Sequence, residues 1–230
     1  MKKMRKIISF ILIIIIGIGI AFSLKEIPFG KTKSKVKEYY LNKGIEQTGA
    51  TNIVTSVVVN YRGFDTLGEV TVLFLAAIGL SAVLYRKKYK VKKDIRKSSL
   101  ILYTGCRFLL PMILLFGAYV FIHGHLTPGG GFQGGAIIAS GFLLTMLGCW
   151  REGGLNRNIF KITESLAGLT FLVVGLLGLL YGGYFLLNYL PKGMPNELFS
   201  AGIIPIIYIA IGFKVASEIT GIIDDMMKKE

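Results

Sequence analysis

The side chains able to bind or move a cation sit in or beside long apolar runs. His123 and His125 are the only two histidines, and both lie in 122–136, Ile-His-Gly-His-Leu-Thr-Pro-Gly-Gly-Gly-Phe-Gln-Gly-Gly-Ala. Histidine titrates near neutral pH, which suits proton transfer. Two residues apart, the rings would diverge on a continuous helix. In a broken stretch they could converge with Gln133 on a proton or ion route; interfacial hydrogen bonding is the alternative. Neither has a Cys, Asp or Glu nearby at zinc-ligand spacing, so no metal is expected.

Two acid-containing pairs stand four residues apart, hence on one face of a helix. Asp65 and Glu69 precede an apolar run, with Arg62 a turn before Asp65. Acids at a membrane entrance can take a proton or replace part of the hydration shell of Na⁺. The same residues allow a plainer reading, because Thr66-x-x-Glu69 is a capping-box pattern that would start the helix. Lys214 and Glu218 lie inside the last apolar segment, too deep for comfortable snorkelling. They form either a structural ion pair or a relay between an amine and a carboxylate. Arg107 and Glu164 are nearer the segment ends and are expected to snorkel.

These residues are positioned by a membrane-class chain. Of 230 residues, 53% are hydrophobic and 17% charged, and mean hydropathy is +0.60. Six segments reach spanning length: 7–24, 66–85, 100–122, 132–150, 162–188 and 200–222. The first extends for about 27 Å and is read as an uncleaved anchor rather than a signal peptide. An all-α polytopic bundle of about six helices follows.

The net charge of +14 does not point to nucleic acid, because the basic residues cluster at the N-terminus, in 86–97, in 151–161 and at Lys228 and Lys229. An even number of spans puts all four clusters on one side. The positive-inside rule then places both termini in the cytoplasm of a multi-pass protein of the cell membrane. The lysine-rich 25–50 runs against this and is read as an exposed, partly amphipathic linker. Asn52–Asn60 is read as a short surface or re-entrant element.

Cys106 and Cys149 lie within apolar runs, and no structural disulfide is expected between them. Four thiolates for an iron–sulfur cluster and paired axial ligands for haem are absent, so no redox centre and no cofactor are expected.

The glycines and Pro128 of 122–136 will not hold a regular helix. Lipid cannot satisfy the backbone groups of such a stretch, so it forms an interfacial turn or the wall of a polar site. Gly129-Gly-Gly131-Phe-Gln-Gly134 matches G-x-G-x-x-G literally, but a dinucleotide site needs a preceding strand. The glycines are expected instead to let the next helix present backbone N–H groups to a cavity. Gly178 and Gly182, four apart in the fifth segment, have the spacing of close helix packing. The basic 86–97 separates a two-helix unit, 1–90, from a four-helix unit, 98–230. No internal repeat marks the chain as a self-contained secondary transporter.

His123-Gly-His-Leu-Thr-Pro-Gly-Gly-Gly-Phe-Gln-Gly-Gly135 and the helices around it, about 99–221, resemble the MnhB-like subunit of the multisubunit Mrp-type Na⁺/H⁺ antiporters. Asn60-Tyr-Arg-Gly-Phe-Asp-Thr-Leu-Gly-Glu69, within 52–80, is similar to the C-terminal end of the large antiporter subunit, a separate small subunit in membrane-bound hydrogenases. The fusion of the two looks like the modular membrane arm of a ferredoxin-coupled hydrogenase-type complex. The resemblance implies an all-helical subunit of a hetero-oligomer in the lipid bilayer. Its partners would be other antiporter-module subunits, with iron–sulfur and nickel–iron subunits in the same complex, and it would help exchange Na⁺ and H⁺. It also favours Asp65 and Glu69 as acids of the ion path; on that reading His123/His125 are expected to form an outer gate and Lys214/Glu218 an inner pair. A purely structural subunit, or the MnhB-like subunit of a stand-alone Mrp antiporter, is the alternative.

Overall fold

The computed structural model describes residues 2–26, 35–84, 98–148 and 156–227. They form α1 Lys2–Glu26, α2 Lys35–Thr48, α3 Ile53–Thr55, a π-helical turn Ser56–Tyr61, α4 Gly63–Leu84, α5 Leu100–Ile122, α6 Gly131–Gly148, α7 Arg157–Gly182 and α8 Ile204–Met227. No strand occurs among the described residues. Six of the helices are long and apolar enough to cross a membrane. The expectation of an all-α, multi-pass membrane protein holds. The basic stretch 86–97, together with Arg151, Lys228, Lys229 and Cys149, lies outside the described residues.

The chain divides into compact units Met1–Tyr39 and Tyr40–Glu230. In the first, α1 is apolar all round and its side chains from Lys6 to Lys25 are exposed, the pattern of a membrane span rather than of an amphipathic surface helix. Within 25–50, the part expected to be a linker includes α2.

The second unit is built on α8. Its spanning window is 56% buried, against 6% for α4 and 17% for α5, so α8 is the axis and α4 and α5 lie outside it. Ile204, Ile207, Ile211 and Val215 of α8 pack with Val70 of α4 and with Phe171 and Val174 of α7. Ser99 starts α5 by accepting from the Leu102 N–H, and Asn156 starts α7 by accepting from the Asn158 N–H.

The glycines after Pro128 do packing rather than cavity work, contrary to expectation. A Cβ on Gly134 would stand 2.6 Å from the Gly117 carbonyl of α5, and one on Gly135 would stand 2.7 Å from the Gly212 carbonyl of α8. Gly131 is filled in the same way by Ile211. Backbone-to-backbone approach at these points holds α6 between α5 and α8, as in small-residue membrane packing.

Three further expectations change. The fifth span ends at Gly182, not 188, because Gly183 adopts φ +81 and its N–H closes on the Leu179 carbonyl. The chain then folds back, and the Leu186 N–H donates to the Gly175 carbonyl. Gly178 and Gly182 therefore receive Leu186 and Leu187 of this return, not a second helix. Finally, Cys106 is disulfide-bonded. Burial in an apolar run does not by itself keep a thiol free.

Candidate functional site

Among the described residues, the buried histidine, lysine, tyrosine and carboxylate side chains lie on or against α8, toward its two ends. At the end where α5 leaves and α6 and α8 begin, the His loop is held by the segment preceding α4. Asn52 donates its side-chain amide to the carbonyls of Gly124 and Thr127, both at 2.9 Å. Its backbone N–H donates to the His125 carbonyl at 3.0 Å. Thr55 donates to the Gly124 carbonyl at 2.6 Å, and Tyr208 of α8 donates to Thr55 at 2.9 Å. Carbonyls freed by the break in helix are thus satisfied by protein, as an apolar surrounding requires.

His125, His123 and Gln133 lie in three environments. His125 is 0% exposed, and neither ring nitrogen has a partner in good hydrogen-bond geometry. Desolvation by burial pushes its pKa below the ordinary histidine value. Backbone groups of Glu197, Leu198 and Ile122 oppose that fall in part, and neighbouring His123 adds to it. His123 stacks on Tyr119 with centroids 4.3 Å apart, and Gln133 is exposed. No hydrogen bond joins the three side chains among the described residues.

Asp65 and Glu69 lie on α4, Asp65 exposed and Glu69 likewise. Asp65 pairs with Arg62 at 2.5 Å, the two side chains being 53% and 63% exposed. The capping-box reading fails, since α4 begins three residues earlier, at Gly63, and the Thr66 hydroxyl donates instead to the Val58 carbonyl. Both acids face away from the interior of this chain.

At the opposite end, a cleft of about 560 Å³ opens between the end of α4, the start of α7 and the end of α8. Arg157 of α7 grips Asp225 of α8 with two hydrogen bonds, at 2.5 and 2.9 Å, and Ser81 of α4 donates to the same carboxylate. Lys161, Glu164, Ser165 and Ser217 line the same cleft, Lys161 and Ser165 being exposed. Glu218 also lines the cleft, its side chain 0% exposed and its Oε1 2.6 Å from Lys214 Nζ. The ammonium sits over the Phe74 ring, 4.8 Å from its centroid, in space left by Gly168. On α8, residues 209–213 separate this pair from Tyr208, and Ile211 fills the core there.

Lys214 and Glu218 thus meet as the spacing predicts. Glu164 does not simply snorkel; it lines the cleft within electrostatic reach of Glu218. Arg157, Asp225 and Ser81 were not singled out from sequence. The signal lay in the helix lengths, for α7 begins five residues before, and α8 ends five residues after, the apolar limits of 162 and 222. Among the described residues no group of three His, Cys, Asp or Glu side chains converges as a metal site would.

With this geometry in hand, comparison with known proteins gives the family. A family model described as a domain related to the MnhB subunit of Na⁺/H⁺ antiporter matches residues 101–221, and the MbhE model, which describes a component of MBH, matches residues 4–98. The uncharacterized protein MJ1307 of Methanocaldococcus jannaschii is 30% identical over 94% of this chain and 89% of its own length. A chain in the structure of the membrane-bound sulfane sulfur reductase, an archaeal respiratory membrane complex, is 49% identical, with a TM-score of 0.78 over 97% of this chain and 98% of that one. A chain of the Mrp complex from Dietzia sp. DQ12-45-1b is 26% identical, with a TM-score of 0.73 over 96% of this chain and 26% of the longer one. Relatives of known structure are thus subunits of multisubunit membrane complexes. The chain belongs to the family of domains related to the MnhB subunit of Na⁺/H⁺ antiporters.

Proposed function

We propose that this chain is an integral subunit of a cation:proton antiporter module, carried in the membrane arm of a respiratory complex of the hydrogenase type. Its own contribution is half of an ion path. The observation that carries this reading is the polar cleft that ends on Lys214–Glu218, an ion pair inside a spanning helix. Charged groups at such depth are costly and mark ion or proton routes.

In the orientation given by the positive-inside rule, the cleft opens to the cytoplasm and the His loop faces outward. The apolar stretch around Ile211 closes the way between them within this chain. The remainder of the path therefore runs along a neighbouring subunit, to which exposed Asp65 and Glu69 present their carboxylates. Iron–sulfur and nickel–iron subunits elsewhere in the complex would supply the driving redox reaction. Similarity to a chain of a respiratory complex over nearly its whole length supports that setting.

A structural role is favoured by one observation, the exposed Arg62–Asp65 pair, which already neutralises one of the acids. The test is Na⁺-driven proton movement in inverted vesicles containing the intact complex, with assembly followed on native gels. Glu218→Gln, Asp65→Asn and Glu69→Gln are expected to assemble and to lose exchange. Normal exchange in all three would leave only the structural role.

A further inference from the structure

Over its whole lining the cleft is neutral, Arg157, Lys161 and Lys214 against Glu164, Glu218 and Asp225, but the buried pair and Glu164 taken together are not. Lys214 brings one positive charge; Glu218 and Glu164 bring two negative ones. Farther out, Arg157 and Asp225 cancel each other in their two-bond pair. Lys161, one turn before Glu164, is exposed, and among the described residues no cation stands within ion-pair distance of Glu164. α4 adds Ser81 to the lining but no charge, and α6 has no charged residue at all.

A second observation points to a ligand. The Glu218 side chain is fully enclosed, yet only one of its two carboxylate oxygens is occupied. Oε1 takes the Lys214 ammonium, while Oε2 has no hydrogen-bond partner. A buried carboxylate oxygen left without a donor or a cation is costly. The hydroxyls of Ser165 and Ser217 line the same cleft, and its volume exceeds what a single small ion with its water requires.

We infer that the inner end of the cleft is a site for one exchangeable monovalent cation, held between Glu164 of α7 and Glu218 Oε2 of α8, with Lys214 as the resident counter-charge. One added positive charge brings the three side chains to neutrality, whereas a divalent ion would overshoot. Lys214 sets the affinity by repulsion: it keeps the cation exchangeable instead of trapped. The same chemistry admits Na⁺ or a proton carried by water, and these compete for one place. This inference rests on the reading of the cleft as an ion path.

The experiment is infrared difference spectroscopy of the intact complex, Na⁺ minus choline, at alkaline pH, repeated as a pH titration without Na⁺. A carboxylate band that responds to Na⁺ is expected in the unaltered complex. Glu164→Gln and Glu218→Gln should each remove it, while Glu46→Gln, at an exposed position of α2 outside the cleft, keeps it. Lys214→Met should shift the Na⁺ midpoint several-fold lower, an effect that loss of packing alone would not produce. A band that answers to pH but not to Na⁺, and that vanishes in the same two variants, supports the site with the proton as occupant. Spectra of both glutamine variants matching the unaltered complex in both titrations overturn the inference.

Glu164 is only half-buried, so Glu164→Gln carries the test if Glu218→Gln fails to assemble. Vesicle exchange separates this inference from the reading beneath it. Exchange lost with the band intact removes the cation site and leaves the path. The band lost with exchange intact keeps the site and removes the path.

Discussion

Lys214 Nζ stands 2.6 Å from Glu218 Oε1, and the two side chains are 11% and 0% exposed on the most enclosed of the six described spans. Attraction at that distance has to offset the desolvation of both ions, and the net gain over a well-packed apolar pair is small or negative. Removing one partner is different, because it strands the other charge. Lys214→Met and Glu218→Leu, made singly, are each expected to cost about 3–5 kcal/mol. The double variant should recover most of that loss. Thermal unfolding in detergent across the four proteins measures the coupling; additive losses would show that the pair is not held as described.

The glycines divide into two groups with opposite predictions. At Gly134 and Gly135 a Cβ meets backbone carbonyl oxygen at 2.6 and 2.7 Å, and backbone cannot swing aside. Alanine there is expected to cost about 1–3 kcal/mol by overpacking and to loosen α6 from α5 and α8. At Gly68 and Gly79 of α4, nothing lies within 4 Å of an added Cβ. Alanine at those positions gains about 0.5–1 kcal/mol of helix propensity. Melting of the four alanine variants separates the groups, and a loss at Gly68 or Gly79 would reveal a contact made by another subunit.

How much of this could be read from residues alone depends on the range of the signal. The six spans were legible because apolar runs are a local property, and Lys214–Glu218 was legible because four residues make one helical turn. The cleft was not. It needs the ends of α4, α7 and α8 brought together, and its mouth residues, Arg157 and Asp225, lie outside the apolar limits of their segments. The glycines were legible as helix-breaking and small, but not what fills them. Gly178 needed the return of the chain at Gly183, and Gly135 needed α8, more than seventy residues on. Thr66 and Glu69 show the opposite failure, a correct local pattern overridden because the π-helical turn had already led into α4.

Asn52 ties the segment before α4 to the His loop, and its loss should be felt there first. Asn52→Ala removes the donors to the Gly124 and Thr127 carbonyls together. Each bond is worth about 1 kcal/mol, more where the carbonyl is left buried. Tyr208→Phe removes a single bond, to Thr55, and should cost about 1 kcal/mol. Amide hydrogen exchange at residues 123–127 is expected to rise in Asn52→Ala and to change little in Tyr208→Phe. Equal exchange in the two variants would mean that the loop is fixed by other contacts.

His125 gives the chain a pH dependence whose sign follows from its burial. Desolvation holds its folded-state pKa below the ordinary value, which an unfolded chain recovers at about 6.5. Above that pH the ring is neutral in both states and contributes no pH dependence. As pH falls below about 6.5 the unfolded chain takes up the proton first, so stability is lost progressively until pH reaches the lowered folded-state value. The slope in this window is at most about 1.4 kcal/mol per pH unit. His125→Phe keeps a ring of similar shape, removes the titration and sacrifices no well-formed hydrogen bond, since neither ring nitrogen makes one. The difference in melting temperature between the two proteins should therefore be constant above pH 7 and should move in favour of the phenylalanine variant from about pH 6.5 downward. A difference that stays flat to about pH 5 would mean that His125 is charged or solvated in the folded chain, and with it the closed His loop would fall.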